Sequence, residues 1–258
     1  MVLSNALIAR AANNKICKAF GVRLVTDPSV VQLAQNGGFD AILIDLEHST
    51  VSIENASQHC ATALRIGITP IVRVPYQCGN GMVQRVLDGG AMGVVFPHIH
   101  NVADAKATVS ISKYPPKGVR SMTGQLPLFG LRPTAVEQII NDTNSLGSSV
   151  ILMIETRDSV ENVDAIAAID GVDMLLIGSN DLAIELGVPG QFSSKEYRTV
   201  LEANVRPINK VAISVHPWEL STNNIHLLYG NSQKLFDRKI LLSLTTAIRP
   251  DMMVAALS

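Results

Sequence analysis

Short aliphatic runs recur along the first 216 residues, and most of the intervals between them carry apolar residues at helical spacing. The runs are Ile16–Phe20, Ala41–Asp45, Thr69–Val74, Gly93–Pro97, Val150–Glu155, Met174–Gly178 and Val211–Val215. They show little polar alternation, as expected of strands covered on both faces. Helices are predicted over Ser29–Asn36, Ile53–Arg65 (with Ser52 as cap), Gly81–Leu87, Val102–Ser112, Ser159–Ile169 and Ser194–Asn209. Strand and helix in turn predict βαβ units around a parallel sheet. The fold class is therefore α/β, and a (β/α)8 barrel is the expected closed form. The eighth strand is the open question. Ile225–Tyr229 and Ile240–Leu244 are its candidates, and Leu241–Ser258 reads as an apolar helix interrupted at Pro250. The whole chain, 1–258, is expected to form one barrel domain with an atypical tail over 223–258. Residues 113–133 break the rhythm with four prolines and three glycines. A connection that long inside a compact domain is expected to be functional.

Composition narrows the class. The 258 residues are 47% hydrophobic but only 4% aromatic, so the core must be built from aliphatic side chains. Net charge is −1, with no basic stripe for nucleic acid or an anionic membrane. No apolar run approaches the roughly 18 residues of a membrane-spanning helix, and the first residues lack the apolar stretch of a signal peptide. The three cysteines, Cys17, Cys60 and Cys78, are widely spaced and predict reduced thiols rather than a disulfide framework. A cytoplasmic location is expected.

In a parallel barrel, chemistry gathers where the strands end. The AILIDLEHS run ends in Asp45, Glu47 and His48. PIVRVP carries Arg73, VVFPHIH ends in His98 and His100, VILMIETRDS ends in Glu155, and DMLLIGSNDL turns through Gly178, Ser179 and Asn180 to Asp181. Charge at a buried strand end costs several kcal/mol unless paired or metal-bound. Glu155 and Asp181 are the metal candidates, and two carboxylates with open positions suit Mg²⁺, Mn²⁺ or Co²⁺. The competing reading makes each acid a helix cap or first-turn residue. Gly178, Ser179 and Asn180 either offer amides to a substrate carboxylate or form an ordinary glycine turn. His48 is a candidate base oriented by Asp45 or Glu47, or else a structural histidine. Arg73 either stabilises an enolate oxygen or forms a buried ion pair. The remaining histidines have no pairing that raises them above structural roles. No nucleophile elbow, P-loop or dinucleotide fingerprint is present, and no lysine ends a good strand, which disfavours Schiff-base chemistry.

The stretches GFDAILIDLEHS (38–49), PIVRVP (70–75), GAMGVVFPHIHNVADAKATVSISKYPPKGVRS (90–121), ILMIETRDSVENVDAIAAIDGVDMLLIGSNDLAIELG (151–187) and AISVHP (212–217), in that order, resemble the HpcH/HpaI aldolase family. That family includes 4-hydroxy-2-oxoheptanedioate aldolases, 2-keto-3-deoxy-sugar-acid aldolases and macrophomate synthase. The resemblance implies a barrel of the pyruvate/phosphoenolpyruvate type and class II, divalent-metal lyase chemistry. A 4-hydroxy-2-oxo acid would be cleaved to pyruvate and an aldehyde through a metal-stabilised enolate. On the same site oxaloacetate decarboxylation is an alternative, and a catalytically silent barrel scaffold is another. The resemblance implies Glu155 and Asp181 as metal ligands, Arg73 as partner of the enolate oxygen, and His48 paired with Asp45 as the base. Ser179 and Asn180 would present amides to the substrate carboxylate, Arg120 would shape a loop over the site, and Leu126–Leu131 would help choose the aldehyde. A homo-oligomer, trimeric or hexameric, is also implied. Two departures stand out. Met153 occupies a position where the family commonly has glutamine, and 223–258 match neither the family's glycine-rich eighth strand nor its exchanged helices.

Overall fold

The computed structural model describes residues 4–13, 15, 17–204, 211–213 and 242–245. Eight parallel strands form one sheet: β1 (Cys17–Val22), β2 (Ala41–Asp45), β3 (Thr69–Arg73), β4 (Gly93–Phe96), β5 (Ser149–Ile154), β6 (Met174–Ile177), β7 (Val211–Ile213) and β8 (Leu242–Thr245). Each pairs with its sequence neighbour from β1 through β7, and β8 returns to the other edge of β1, with Cys17 opposite Leu242. Cα atoms of β7 and β8 approach within 8 Å, which brings the sheet's two ends together. This is the (β/α)8 barrel expected from the alternation.

The helices are α1 (Ala6–Ala12), α2 (Ser29–Asn36), α3 (Ile53–Ile66), α4 (Gly79–Asp88), α5 (Val102–Ser112), α6 (Val136–Asp142), α7 (Arg157–Glu161), α8 (Val163–Ala167), α9 (Ser179–Glu185) and α10 (Lys195–Asn204). The Ser52 hydroxyl accepts the Asn55 N–H, capping α3 as predicted, and Gly67 ends that helix in the left-handed region at φ 80°. The predicted helix at Ser159–Ile169 is two short helices joined at Asn162.

Strand alternation divides the core. Cys17, Ala19, Ala41, Leu43, Ile71, Val95, Ile151, Met153, Met174 and Leu176 point into the barrel. The alternate positions, such as Ile42, Val72, Val94, Leu152, Ile154 and Leu175, pack outward against the helices. Both faces of β2 to β6 are thus dry, which is why those runs lack polar alternation. Burial pushes the Cys17 thiol up to about 12, so it packs as a small apolar group rather than reacting.

The amino-terminal end of the barrel is sealed. Leu7 of α1 inserts among the inward residues. The buried Asn5 amide donates to the Leu146 carbonyl at 2.8 Å and to Ser149 Oγ at 3.1 Å. The α1 helix was not anticipated from the sequence, because a seven-residue amphipathic segment gives little periodicity to read.

Two expectations are corrected. Of the two readings of this stretch, residues 242–245 follow the candidate strand Ile240–Leu244 and not the helix: LSLT alternates apolar and polar residues and meets the free edge of β1. The candidate strand Ile225–Tyr229 falls outside the described residues. The connection beginning at residue 113 does not lie over the strands' carboxyl ends. Helix α5 carries the chain back to the amino end, and the connection stays there. Lys113 Nζ donates to the Ser148 carbonyl at 2.7 Å and to Asp173 at 3.2 Å. The buried Arg120 pairs with Asp88 at 2.6 Å. Leu126 and Leu128 pack with Met92, Tyr114 and Ile139. The long loop is a plug built on charge pairs and a small apolar cluster.

Candidate active site at the carboxyl end of the barrel

The inward alternation that places Leu43, Ile71 and Met153 in the barrel continues two residues onward to Asp45, Arg73 and Glu155. All three stand one layer above the apolar core, at strand ends. Asp45 and Arg73 are also register partners across β2 and β3, so their side chains meet. Arg73 donates from Nε to Asp45 Oδ1 at 2.9 Å and from Nη2 to Oδ2 at 2.6 Å, a bidentate pair. Its remaining Nη1 lies 3.3 Å from Glu47. Asp45 also accepts the backbone N–H groups of Glu47 and His48 at 2.9 and 3.2 Å. Burial alone would raise the Asp45 carboxyl. The Arg73 hydrogen bonds and charge, with the two backbone N–H groups, outweigh it and hold the group below its ordinary range.

Glu155 is 1% exposed. The helix cap after β5 belongs to Thr156, whose hydroxyl accepts the Ser159 N–H at 3.1 Å. Glu155 is therefore not a helix cap, and its side chain is left for the barrel mouth. Its Oε1 accepts the His98 backbone N–H at 2.6 Å. Its Oε2 is buried without a hydrogen-bond partner. Burial raises the Glu155 carboxyl; His98 offsets this in part, while the charges of Asp181 and Glu47 raise it further. Asp181, in the first turn of α9, is thus close enough for its charge to be felt at Glu155.

Gly178 follows β6, one position beyond the register pair Ile154–Ile177, and so faces Glu155. A Cβ there would lie 2.1 Å from Glu155 Oε2 and 2.7 Å from its Cβ. The Gly178 N–H donates to the Ile154 carbonyl at 3.2 Å. Its contribution is room for the carboxylate rather than an amide for substrate. Ser179 is buried and Asn180 exposed at the start of α9.

The His48 ring is exposed, and its Nε2 lies 3.7 Å from Glu47 Oε2. Asp45, which the resemblance paired with this ring, instead receives the His48 backbone N–H. The acid beside the imidazole is Glu47, which was noted in the sequence as an alternative. Burial raises the Glu47 carboxyl, and Arg73, His48 and His98 counter it only in part. Arg120 is at the opposite end of the barrel, bonded to Asp88 and stacked over Tyr114 at 4.6 Å. It is separated from the site by the full depth of the sheet.

Two residues escaped the sequence reading. His98 follows β4, with Nδ1 3.4 Å from Glu155 Oε1 and Nε2 3.8 Å from Glu47 Oε1. The sequence placed it at a strand end, but the pairing acids come from β2 and β5 and are distant in the chain. Arg23, just past β1, donates to the His48 carbonyl at 2.8 Å and lies 3.5 Å from Asp45. Its strand was drawn to end at Phe20, which hid it. His59 is buried in α3, and His100, after β4, pairs with Asp158 rather than with the clustered acids. His216 and His226 lie outside the described residues.

The arrangement fits a cation. Glu155 and Asp181 are anionic ligand candidates, and the unpartnered Oε2 is an oxygen lone pair held ready in a dry site. Among the described residues, no group of three or more His, Cys, Asp or Glu side chains forms a metal site. A metal here would therefore have few protein ligands, with the other positions left to substrate or water.

A family model described as HpcH/HpaI aldolase/citrate lyase matches residues 24–213. The chain is 49% identical over 239 residues to a 4-hydroxy-4-methyl-2-oxoglutarate aldolase of Chaetomium globosum, spanning 88% of this chain and 89% of that protein. It is 55% identical over 199 residues to a 4-hydroxy-4-methyl-2-oxoglutarate aldolase of Hapsidospora irregularis, spanning 77% of this chain and 74% of that one. The solved HpcH/HpaI aldolase from Desulfitobacterium hafniense superposes with a TM-score of 0.79 at 23% identity, over 98% of this chain and 93% of that one. That likeness is one of fold.

Two measurements probe the geometry. Gly178→Ala should displace the Glu155 carboxylate or cost about 1–3 kcal/mol of stability by overpacking; urea unfolding and Mn²⁺ titration together detect either effect. Unchanged stability with unchanged Mn²⁺ binding would refute the close approach. The lowered Asp45 carboxyl means the folded state binds fewer protons than the unfolded state below about pH 4. Its stabilisation is present above the unfolded pKa and is lost as pH falls through the folded one. Asp45→Asn should flatten that acid slope of the unfolding free energy, and an identical slope in wild type and variant contradicts the pairing.

Proposed function

The chain belongs to the HpcH/HpaI aldolase/citrate lyase family, and from that premise we propose how the site works and on what. The protein is a carbon–carbon lyase that cleaves a 4-hydroxy-2-oxo acid between C3 and C4 to release pyruvate. The supporting observation is the convergence of Asp45, Glu47, Arg73 and Glu155 at the strand ends, with one buried carboxylate oxygen left without a partner.

The substrate is of the 4-hydroxy-4-methyl-2-oxoglutarate type, by likeness to relatives of that name. Cleaving C3–C4 of that acid gives two pyruvates. The carbonyl partner is then a keto acid, not the aldehyde expected from the sequence.

Glu155 and Asp181 would hold a divalent cation, with Mg²⁺, Mn²⁺ and Co²⁺ as candidates. When bound, such an ion supplies a Lewis acid that polarises the 2-oxo group. The protein's own groups do the rest. Arg73 is fixed by two bonds to Asp45, so its positive charge stands preorganised for an oxygen that becomes negative as the C3–C4 bond breaks. His48 takes the C4 hydroxyl proton, with Glu47 beside its ring and Arg23 fixing its carbonyl. The electron pair of the broken bond goes to C3, which gains a proton from water to become the pyruvate methyl group, and His48 returns the proton it took to solvent. Ser179 and Asn180 open α9 next to Asp181 and are assigned to the substrate carboxylate. The assembly is read as a homo-oligomer, trimeric or hexameric, of one barrel domain per chain, in the cytoplasm. Among the described residues no helix is long and apolar enough to cross a membrane.

Pyruvate release from 4-hydroxy-4-methyl-2-oxoglutarate, followed with a coupled dehydrogenase, tests the proposal. Chelator should stop turnover, and Mn²⁺, Mg²⁺ or Co²⁺ should restore it. Glu155→Ala should reduce turnover to background while the circular-dichroism melt stays cooperative; normal turnover would remove Glu155 from the site. Arg73→Ala should lower kcat by about 10²-fold or more with a much smaller change in Mn²⁺ affinity. Equal losses in both would reassign Arg73 to holding the carboxylates in place.

A further inference from the structure

We propose that His98 is a positioning residue for Glu155: its ring and backbone together aim the carboxylate so that Oε2 is left to a bound cation. The inference rests on the metal reading given above and assigns a role to a side chain that reading leaves unused.

His98 touches Glu155 twice at the same oxygen. Its backbone N–H donates to Oε1 at 2.6 Å, and its ring Nδ1 lies 3.4 Å from that oxygen. Among the described residues no other side chain bonds to the Glu155 carboxylate, and Oε2 stays unpartnered. The opposite edge of the ring, Nε2, lies 3.8 Å from Glu47 Oε1, so the imidazole spans the gap between two acids. The Tyr76 ring packs on it edge-to-face, centroids 5.0 Å apart, and holds its plane.

The backbone supports the same reading. His98 sits at φ 52°, a left-handed conformation costly for a residue with a Cβ. Glycine would adopt it freely and still offer the N–H. A side chain kept where glycine is easier implies that the ring has a use. Below Glu155, its inward neighbour two residues back on β5 is Met153, which packs in the apolar interior. A thioether there gives the carboxylate no strong donor, so orientation must come from β4. Groups behind a metal ligand set its direction, and their removal typically costs 10–100-fold, on that order, in metal affinity or activity.

The closing experiment is a Mn²⁺ titration of the full-length protein, reading free Mn²⁺ by electron paramagnetic resonance, with kcat and KM measured at saturating Mn²⁺. His98→Gly keeps the N–H and the backbone conformation and removes only the ring. His98→Phe keeps an aromatic ring for Tyr76 and removes only the nitrogens. Both should bind Mn²⁺ about tenfold or more weakly, with most of kcat recovered when Mn²⁺ saturates. His98→Asn, which tolerates the left-handed region and returns a polar group near Nδ1, should restore affinity close to wild type. Wild-type affinity in the Gly and Phe variants, with Glu155→Gln still weakened, overturns the role of His98 and leaves the metal site standing. A raised KM for the oxo acid at unchanged Mn²⁺ affinity also overturns it, because the ring would then touch substrate. Absence of Mn²⁺ binding in the wild type overturns both the inference and the metal reading beneath it.

Discussion

A carboxyl group buried at the end of β5 with only one oxygen satisfied is the constraint around which the rest of the mouth is arranged. Leaving such a charge uncompensated in a dry site costs several kcal/mol. Arg73 would be the obvious counter-ion, yet its two short bonds go to Asp45 and its third nitrogen faces Glu47. Among the described residues, and apart from the two imidazoles, the mouth gathers four carboxylates, Asp45, Glu47, Glu155 and Asp181, against two guanidinium groups, Arg73 and Arg23. Within that set the acids exceed the bases by two charges, the charge that one divalent cation would carry. Burial raises the carboxyls of both Glu155 and Glu47, and at Glu155 the charges of Asp181 and Glu47 add to it.

The barrel's two ends divide the work because parallel strands all deliver their carboxyl ends to one side. The far end is a set of closed polar ties: Lys113 to Ser148 and Asp173, Arg120 to Asp88, Asn5 to Leu146 and Ser149. There Lys113 and Arg120 each have a named partner of opposite sign. At the near end, acids outnumber bases and one oxygen is left over. The same residue types thus serve stability at one end and chemistry at the other, decided by whether their charges cancel locally.

This division explains what could be read from the sequence. Uninterrupted aliphatic runs identified the strands because burial on both faces writes itself directly into composition. The last inward-facing polar residue of each run then marked Asp45, Arg73 and Glu155. Spacing could not show which acid faces which base. The assignment of Asp45 to the His48 ring failed because Asp45 turned to its register partner on β3 and to backbone N–H groups. His98 was passed over because its acids are on other strands. Arg120 and the loop after α5 looked functional by length and proline content, but a connection's end of the barrel depends on which way the preceding helix runs. The short sequence LSLT could be read as strand (Ile240–Leu244) or as the start of an apolar helix, and the free edge of β1 decides for strand.

Backbone strain by itself would not have located the site. Gln77, His98, Gln125 and Leu131 all have positive φ without being glycine, and the last two belong to the loop at the amino end. What distinguishes His98 is that strain coincides with a second violation, a buried carboxylate oxygen without a partner, and a third, a glycine whose missing Cβ makes room for that carboxylate. The strained backbone and the unpartnered oxygen each weaken the fold locally, and the glycine makes room for the carboxylate without supplying that oxygen a partner. A sequence selected for stability alone would relax at least one of the first two: glycine at 98, or glutamine or methionine at 155. Their coexistence at one point supports the proposed cation, because a small, doubly positive ion is a simple partner that would relieve the charge there.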